Sequence, residues 1–207
     1  MNNEIFEIEN IIPVDYQNHI ENLMTESKFP WYLNKNLVSP DAEFQEREDN
    51  HLGFNHFFYE DNVACSPHFN LLYPLVLSIT SGSPVKFNRL IRMRANLTMQ
   101  NKHSLLNHHL PHIDSYFPHW NAVYYVNDSD GDTIIFNETN DTYTSGQYDI
   151  DMISNGNFTV KQRITPKKGK IVIFKGRYYH ASSFPRDSRY RCVININLEC
   201  LQDLLLS

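Results

Sequence analysis

Residues 189–198, RYRCVININL, constrain the fold more than any other stretch of the chain. Tyr190, Cys192, Ile194, Ile196 and Leu198 alternate with Arg189, Arg191, Val193, Asn195 and Asn197, which is the period-2 pattern of a β-strand. One face is wholly apolar and has to pack on a core or on helices. The other carries arginine and asparagine, and such groups are costly to bury without partners. It must therefore face water or a polar cavity.

Six further strand-like runs precede this one, at 86–94, 105–113, 121–126, 132–137, 158–164 and 170–175. Turn chemistry separates them: Gly131-Asp132, Lys168-Gly169, and Asn155-Gly156 as a hairpin signal. Residues 137–151 are polar enough for a long surface loop. The first 85 residues read differently. Pro13 opens a helix over 12–27, with Tyr16, Ile20, Leu23 and Met24 on one face. Ser66-Pro67 supplies an N-cap and first-turn pair for a second helix that ends near Gly82 and is kinked at Pro74. Between them, 29–50 reads as loop. Two helices followed by about seven strands predict a mainly β chain, an antiparallel sandwich or barrel buttressed by helices.

The whole chain, 207 residues, reads as one domain. A formal charge of −6 argues against a nucleic-acid binder that works through a broad basic surface. The longest apolar run, 71–79, is too short to span a bilayer and contains Pro74. No secretory leader pattern opens the chain. Cys65, Cys192 and Cys200 are scattered and odd in number, so the expectation is reduced thiols in a cytoplasm.

His112-Ile113-Asp114 carries the chemistry. On a strand, residues i and i+2 share a face with Cα atoms roughly 6.6 Å apart, so imidazole and carboxylate can grip one ion. H-x-[DE] alone is weak, since about one match arises by accident in a chain of this composition. The other match, His19-Ile20-Glu21, falls in the first predicted helix, where i and i+2 point apart. After His119 the chain has a single histidine left, His180, just beyond the apolar run Lys170–Phe174. It can be the third ligand of a 2-His-1-carboxylate site or a surface residue on a loop. Arg189 follows nine residues later. Two neutral imidazoles, one carboxylate and Fe(II) carry a net charge of +1, and a 2-oxoglutarate dianion bound there needs a cation for its distal carboxylate.

Taken in order, these residues resemble the prolyl 4-hydroxylase-like branch of the Fe(II)/2-oxoglutarate oxygenases, over roughly 86–198. VYYVNDSDGDTIIF resembles that family's "YYLN…GG-L-F" segment, with Asp132 where a second Gly is usual. Pro166–Phe174 resembles its "P-x-x-G-x-x-v-x-F" lead-in to the distal histidine. The first 85 residues also look like what precedes this core in small phage-type enzymes.

The resemblance implies a double-stranded β-helix (jelly roll) core over 86–198, supported by 1–85 and followed by a tail, 199–207. It implies Fe(II) on His112, Asp114 and His180, with 2-oxoglutarate and O2 as co-substrates. Arg189 would anchor 2-oxoglutarate, with Arg191 on the same face as the alternative; Tyr125 would contact it, with Tyr124 the near alternative. The implied reaction hydroxylates a peptidyl residue such as proline, or a small molecule, and releases succinate and CO2. The implied compartment is cytoplasmic, the host's if the chain is phage-encoded. The oligomeric state stays open.

His108 and His109 crowd the metal segment, either around the site or on a surface loop. Trp31, Tyr32, Arg92, Arg94 and Trp120 are candidates for the substrate end, each with packing or a solvated charge as the alternative. The basic run 161–170 reads as the solvated end of a hairpin, with a docking patch for an acidic partner as the weaker alternative. Two rival classes remain. A cupin-like metal-binding isomerase or binding protein would bring an extra metal histidine and have no use for Arg189. A non-enzymatic jelly roll would carry its histidines by coincidence.

Overall fold

The computed structural model describes residues 4–34, 52–102, 107–115, 117–141 and 158–200. Two antiparallel sheets face each other. The larger runs in the order β1 (Ile5–Ile8), β9 (Ile171–Lys175), β6 (Trp120–Tyr125), β11 (Tyr190–Glu199), β5 (Arg89–Met99), β3 (Gly53–Glu60) and β2 (Tyr32–Asn34), with β4 (Val63–Ala64) paired to β3. The smaller is β10 (Tyr178–Ser182), β7 (Thr133–Thr139) and β8 (Val160–Ile164). Helices α1 (Val14–Thr25) and α2 (Phe69–Gly82) lie against the larger sheet.

Strand alternation divides the core into layers. Cys192, Ile194, Ile196 and Leu198 of β11 join Ala122 and Tyr124 of β6 and Ile171 and Ile173 of β9. Together they pack on Ile20 and Met24 of α1 and Leu72, Leu75, Val76 and Ile79 of α2. The opposite face sends Val193, Val123, Tyr125, Val172 and Phe174 toward Ile135, Ile164 and Tyr178 of the smaller sheet. A hydrogen bond of 2.6 Å from the Tyr16 hydroxyl to the Leu71 carbonyl ties the two helices together. Ile194 is fully buried in the helix-side layer. Ile194→Ala should cost about 2–5 kcal/mol of stability, removing the transfer free energy and leaving a cavity. Urea unfolding followed by circular dichroism measures it, as a lower midpoint at unchanged slope.

Several elements differ from the expectation. Strands β1, β2, β3, β4 and β10 appear in stretches read as loop or helix-side text. Ser66 does not cap α2, which starts at Phe69; its hydroxyl instead bonds His56 Nε2 at 2.8 Å and accepts from the His68 amide at 3.2 Å. Residues 107–113 form no ladder and make a single bridge, His112 with His180. The predicted hairpin turn at 155–156 lies outside the described residues, as do 142–151 of the loop expected over 137–151, whose residues 137–139 instead belong to β7. Also outside them are 35–51, the start of the 105–113 run and the tail 201–207. The basic run is largely paired: Lys168 with Glu21, Lys170 with Glu7, Lys167 with Asp128 and Arg163 with Asp132. Among the described residues no helix is long and apolar enough to cross a membrane.

Candidate metal centre

His112, Asp114 and His180 converge, with one ligand atom from each lying within 4.8 Å of the others. Three different devices bring them together. His180 sits inside β10 rather than on a loop, just past the irregularity in its pairing with β7. His112 is held to it by reciprocal backbone bonds, amide to carbonyl, of 3.0 and 2.9 Å. Pro111, which lacks an amide proton, precedes this bridge. Asp114 lies in a bend past the bridge, so the pair does not rest on the pleat of a continuous strand. Ile113 turns away and packs against Ile134, Phe136, Tyr179 and Ala181.

Both imidazoles are set for ligation through Nε2. His112 Nδ1 faces the Leu110 carbonyl at 3.1 Å and His180 Nδ1 faces the Tyr178 carbonyl at 3.2 Å. A ring nitrogen against a carbonyl must carry the proton, which leaves the lone pair on Nε2. Burial, together with the His180 ring beside it, pushes the His112 imidazole down to about 3, so it is neutral at physiological pH. Burial acts to raise the Asp114 pKa; His180 and the Arg92 and Arg94 guanidiniums outweigh it, holding the carboxyl well below its ordinary range.

The Asp114 carboxylate, 1 % exposed, is surrounded by donors from the larger sheet. Asn195 and Asn197 Nδ2 reach Oδ2 at 3.0 and 3.2 Å. Arg92 and Arg94 Nη2 reach Oδ1 at 3.2 and 3.5 Å. Two neutral nitrogen donors and one carboxylate, with no thiolate among them, suit a non-haem Fe(II) site and leave open positions. A third imidazole, His119, is buried nearby, but its ring lies over Gly176, where a Cβ would come within 2.2 Å of His119 Nε2. His119 is not in the converging set.

A cavity of about 70 Å³ opens beside the triad, lined among others by Arg94, Asn96, Thr98, Thr133, Arg191 and Asn195. That is several times the roughly 10–15 Å³ needed by one water. The polar face of β11 therefore meets a polar cavity. Arg191 is 4 % exposed; its Nε donates to the Gly131 carbonyl at 2.7 Å and its Nη2 to Thr133 Oγ1 at 2.8 Å. Tyr125 donates its hydroxyl to the same Thr133 oxygen at 2.8 Å. A Cβ at Gly131 would be crowded, lying 3.0 Å from both Arg191 Cδ and the Ser183 carbonyl. Among the described residues no carboxylate pairs with Arg191. Burying a guanidinium without a carboxylate partner is costly.

Arg189, favoured by spacing, is elsewhere. It is exposed, precedes β11, and lines a surface hollow with Glu21, Asn127, Asp128 and Lys168. The connection before β11 explains the shift. Asp130 accepts from the amides of Arg186, Asp187 and Ser188, which holds 186–188 in a turn outside the strand. The guanidinium that enters the cavity is consequently eleven residues beyond His180, not nine. Tyr124 points to the helix-side layer, away from the cavity, while Tyr125 faces between the sheets.

His109 lines the cavity, with its ring 4.1 Å from that of Phe184. His108 lies edge-on to Phe136. Trp31 and Trp120 are packing residues: the indole of Trp31 donates to the Met24 carbonyl, and Trp120 stacks on Phe6. Tyr32 is exposed. Sequence reasoning gave Thr133, Asn195 and Asn197 no role; parity with Arg191 on β11 was the available signal for the two asparagines. Asp132, in place of the usual glycine, turns its carboxylate outward to Thr165 and Arg163.

No protein-family model and no curated protein sequence matches the chain. Solved structures do. A 2OG-Fe(II) oxygenase family oxidoreductase from Burkholderia pseudomallei is similar at TM-score 0.62 and 12 % identity, over 95 % of this chain and 85 % of that one. A prolyl hydroxylase from Trichoplax adhaerens, in complex with a hypoxia inducible factor peptide fragment, is similar at 0.60 and 15 %, over 100 % and 88 %. The epimerase SnoN from nogalamycin biosynthesis, in complex with Fe3+, alpha ketoglutarate and nogalamycin RO, is similar at 0.57 and 12 %, over 95 % and 79 %. The chain therefore has the jelly-roll fold of the 2-oxoglutarate/Fe(II) oxygenases.

Proposed function

We propose that this chain is an Fe(II)- and 2-oxoglutarate-dependent dioxygenase that hydroxylates a peptidyl or small-molecule substrate and releases succinate and CO2. The observation that carries the reading is a cavity lined both by the two triad imidazoles and by the buried Arg191 guanidinium, which has no carboxylate partner among the described residues. His112, Asp114 and His180 would hold the iron through Nε2, a carboxylate oxygen and Nε2. When bound, iron supplies the O2-activating and radical chemistry that no side chain here can perform.

The chain's own groups bind and orient. Arg191 takes the distal carboxylate of 2-oxoglutarate, and Thr133, bonded to both Arg191 and Tyr125, fixes the angle of the fork. Arg191 and Asn195 are four residues apart on β11, about 13 Å at the strand rise; the co-substrate spans part of that length. Val123 and Val193 form apolar wall between the polar ends and keep water from the co-substrate's methylenes.

Both a peptide and a small molecule are bound in structures that share the fold, and both classes stay within the proposal. The three cysteines are free, as a reducing cytoplasm would keep them. Anaerobic addition of Fe(II) and 2-oxoglutarate should give a weak visible charge-transfer band. Admitting air should then give O2 uptake and succinate, both abolished by chelation of the metal. A chain that binds neither component in the presence of the other overturns the reading.

A further inference from the structure

Three carboxamides on the inner face of the larger sheet have hydrogen-bonding capacity that the dioxygenase reading leaves unused. Asn195 is 6 % exposed and lines the cavity. Its Nδ2 donates to Asp114 Oδ2 at 3.0 Å, which fixes the orientation of the amide, and its Oδ1 is buried without a hydrogen-bond partner. Asn96 lines the cavity from β5, opposite Val193 and so diagonal to Asn195, roughly 7–8 Å away. Asn55 of β3 lies directly opposite Asn96. Both are half-buried, and among the described residues neither carboxamide is hydrogen-bonded.

A buried acceptor is nearly always paired, so Asn195 Oδ1 calls for a donor. 2-Oxoglutarate cannot supply one, because a dianion carries acceptors only. The apolar layer beneath the smaller sheet draws on β1, β6, β9 and β11 and on no described residue of β5, β3 or β2. The three carboxamides thus lead from Asp114 across β11 and β5 to β3, beyond the strands that the smaller sheet covers. Each group is uncharged and offers one carbonyl acceptor and two N–H donors. A secondary amide, with one N–H and one carbonyl, complements such a row. A carboxylate would engage only the donors and leave Asn195 Oδ1 unpaired.

We propose that Asn195, Asn96 and Asn55 read a secondary amide of the primary substrate. Asn195 Oδ1 accepts its N–H, and the Asn96 and Asn55 carboxamides take its carbonyl and the next polar group outward. This rests on the dioxygenase reading, and it narrows the substrate to an amide-bearing molecule that is uncharged where it crosses β5 and β3.

The test uses the anaerobic complex of the full chain with Fe(II) and 2-oxoglutarate. It is titrated with N-acetylalanine N-methylamide, with the isosteric diester methyl 2-acetoxypropanoate, which has no N–H, and with acetate. Binding is followed by perturbation of the visible band. The diamide should saturate at least about fivefold more tightly than the diester, the scale of one hydrogen bond lost with its partner left unpaired, and more tightly than acetate. Asn96→Leu should lose about fivefold or more of the diamide affinity while 2-oxoglutarate affinity stays within twofold, and Asn55→Leu should lose less. If Asn96→Leu does not fold, the near-isosteric Asn96→Asp, which keeps an acceptor and removes the donors, should lose diamide affinity in the same direction. No saturable binding of the diamide, a diester that binds as well, acetate binding more tightly, or Asn96 variants that bind the diamide like the wild type each overturns the proposal; so does a loss of 2-oxoglutarate equal to that of the diamide. Failure of the underlying reading looks different, because 2-oxoglutarate would then give no band before any probe is added.

Discussion

His180→Ala should abolish succinate formation and weaken ferrous binding by at least about 100-fold. Loss of groups that merely orient ligands already costs 10–100-fold in metal affinity, and His180 Nε2 is itself one of the three converging atoms. The fold should survive, because the bridge that positions this segment is made by backbone atoms of His112 and His180 rather than by the rings. Removing the ring also relieves His112, whose proton affinity is lowered in part by the His180 imidazole. Anaerobic titration calorimetry with Fe(II), beside a thermal melt of the metal-free chain, separates a lost ligand from a lost fold. Turnover at the wild-type rate in a folded His180→Ala protein would sink the assignment of this residue as a ligand.

The sequence made some parts of this molecule legible and hid others for physical reasons. The β11 alternation was readable because each face meets one kind of environment: helix-side core on one, polar cavity on the other. His112, Asp114 and His180 could be picked out by residue type and scarcity, but not the route by which they meet. Period-2 reasoning placed His112 and Asp114 on one strand, whereas the structure holds the first by a bridge and the second by donors from β5 and β11. Such donors come from residues about 20 and 80 positions away in sequence, beyond what a local pattern carries. β10 was missed because Tyr178–Ser182 is short and buried along most of its length, so it lacks the alternation that marks a half-exposed strand.

Spacing pointed to Arg189, which the structure leaves exposed, for a related reason. Counting nine residues from His180 assumes a connection of fixed length, and the length is set by how the turn is closed. Here Asp130 gathers three consecutive amides, and Arg189 falls outside the ladder that begins at Tyr190. Arg191→Gln should accordingly raise the 2-oxoglutarate concentration needed for half-maximal turnover by roughly 30-fold or more, with ferrous affinity unchanged. Truncating one partner of a buried, hydrogen-bonded charge pair costs about 2–5 kcal/mol, equivalent to roughly 30-fold to several thousandfold. Thr133→Val should move the same constant in the same direction by less, since it removes the hydroxyl that Arg191 and Tyr125 share without removing the charge. Arg189→Gln should change it by less than about twofold, because an exposed guanidinium at the surface is screened and far from the ligand. Steady-state succinate assays at varied 2-oxoglutarate compare all three variants directly. The reverse order, with Arg189→Gln the damaging change, would mean that 186–191 adopts another register when the co-substrate binds.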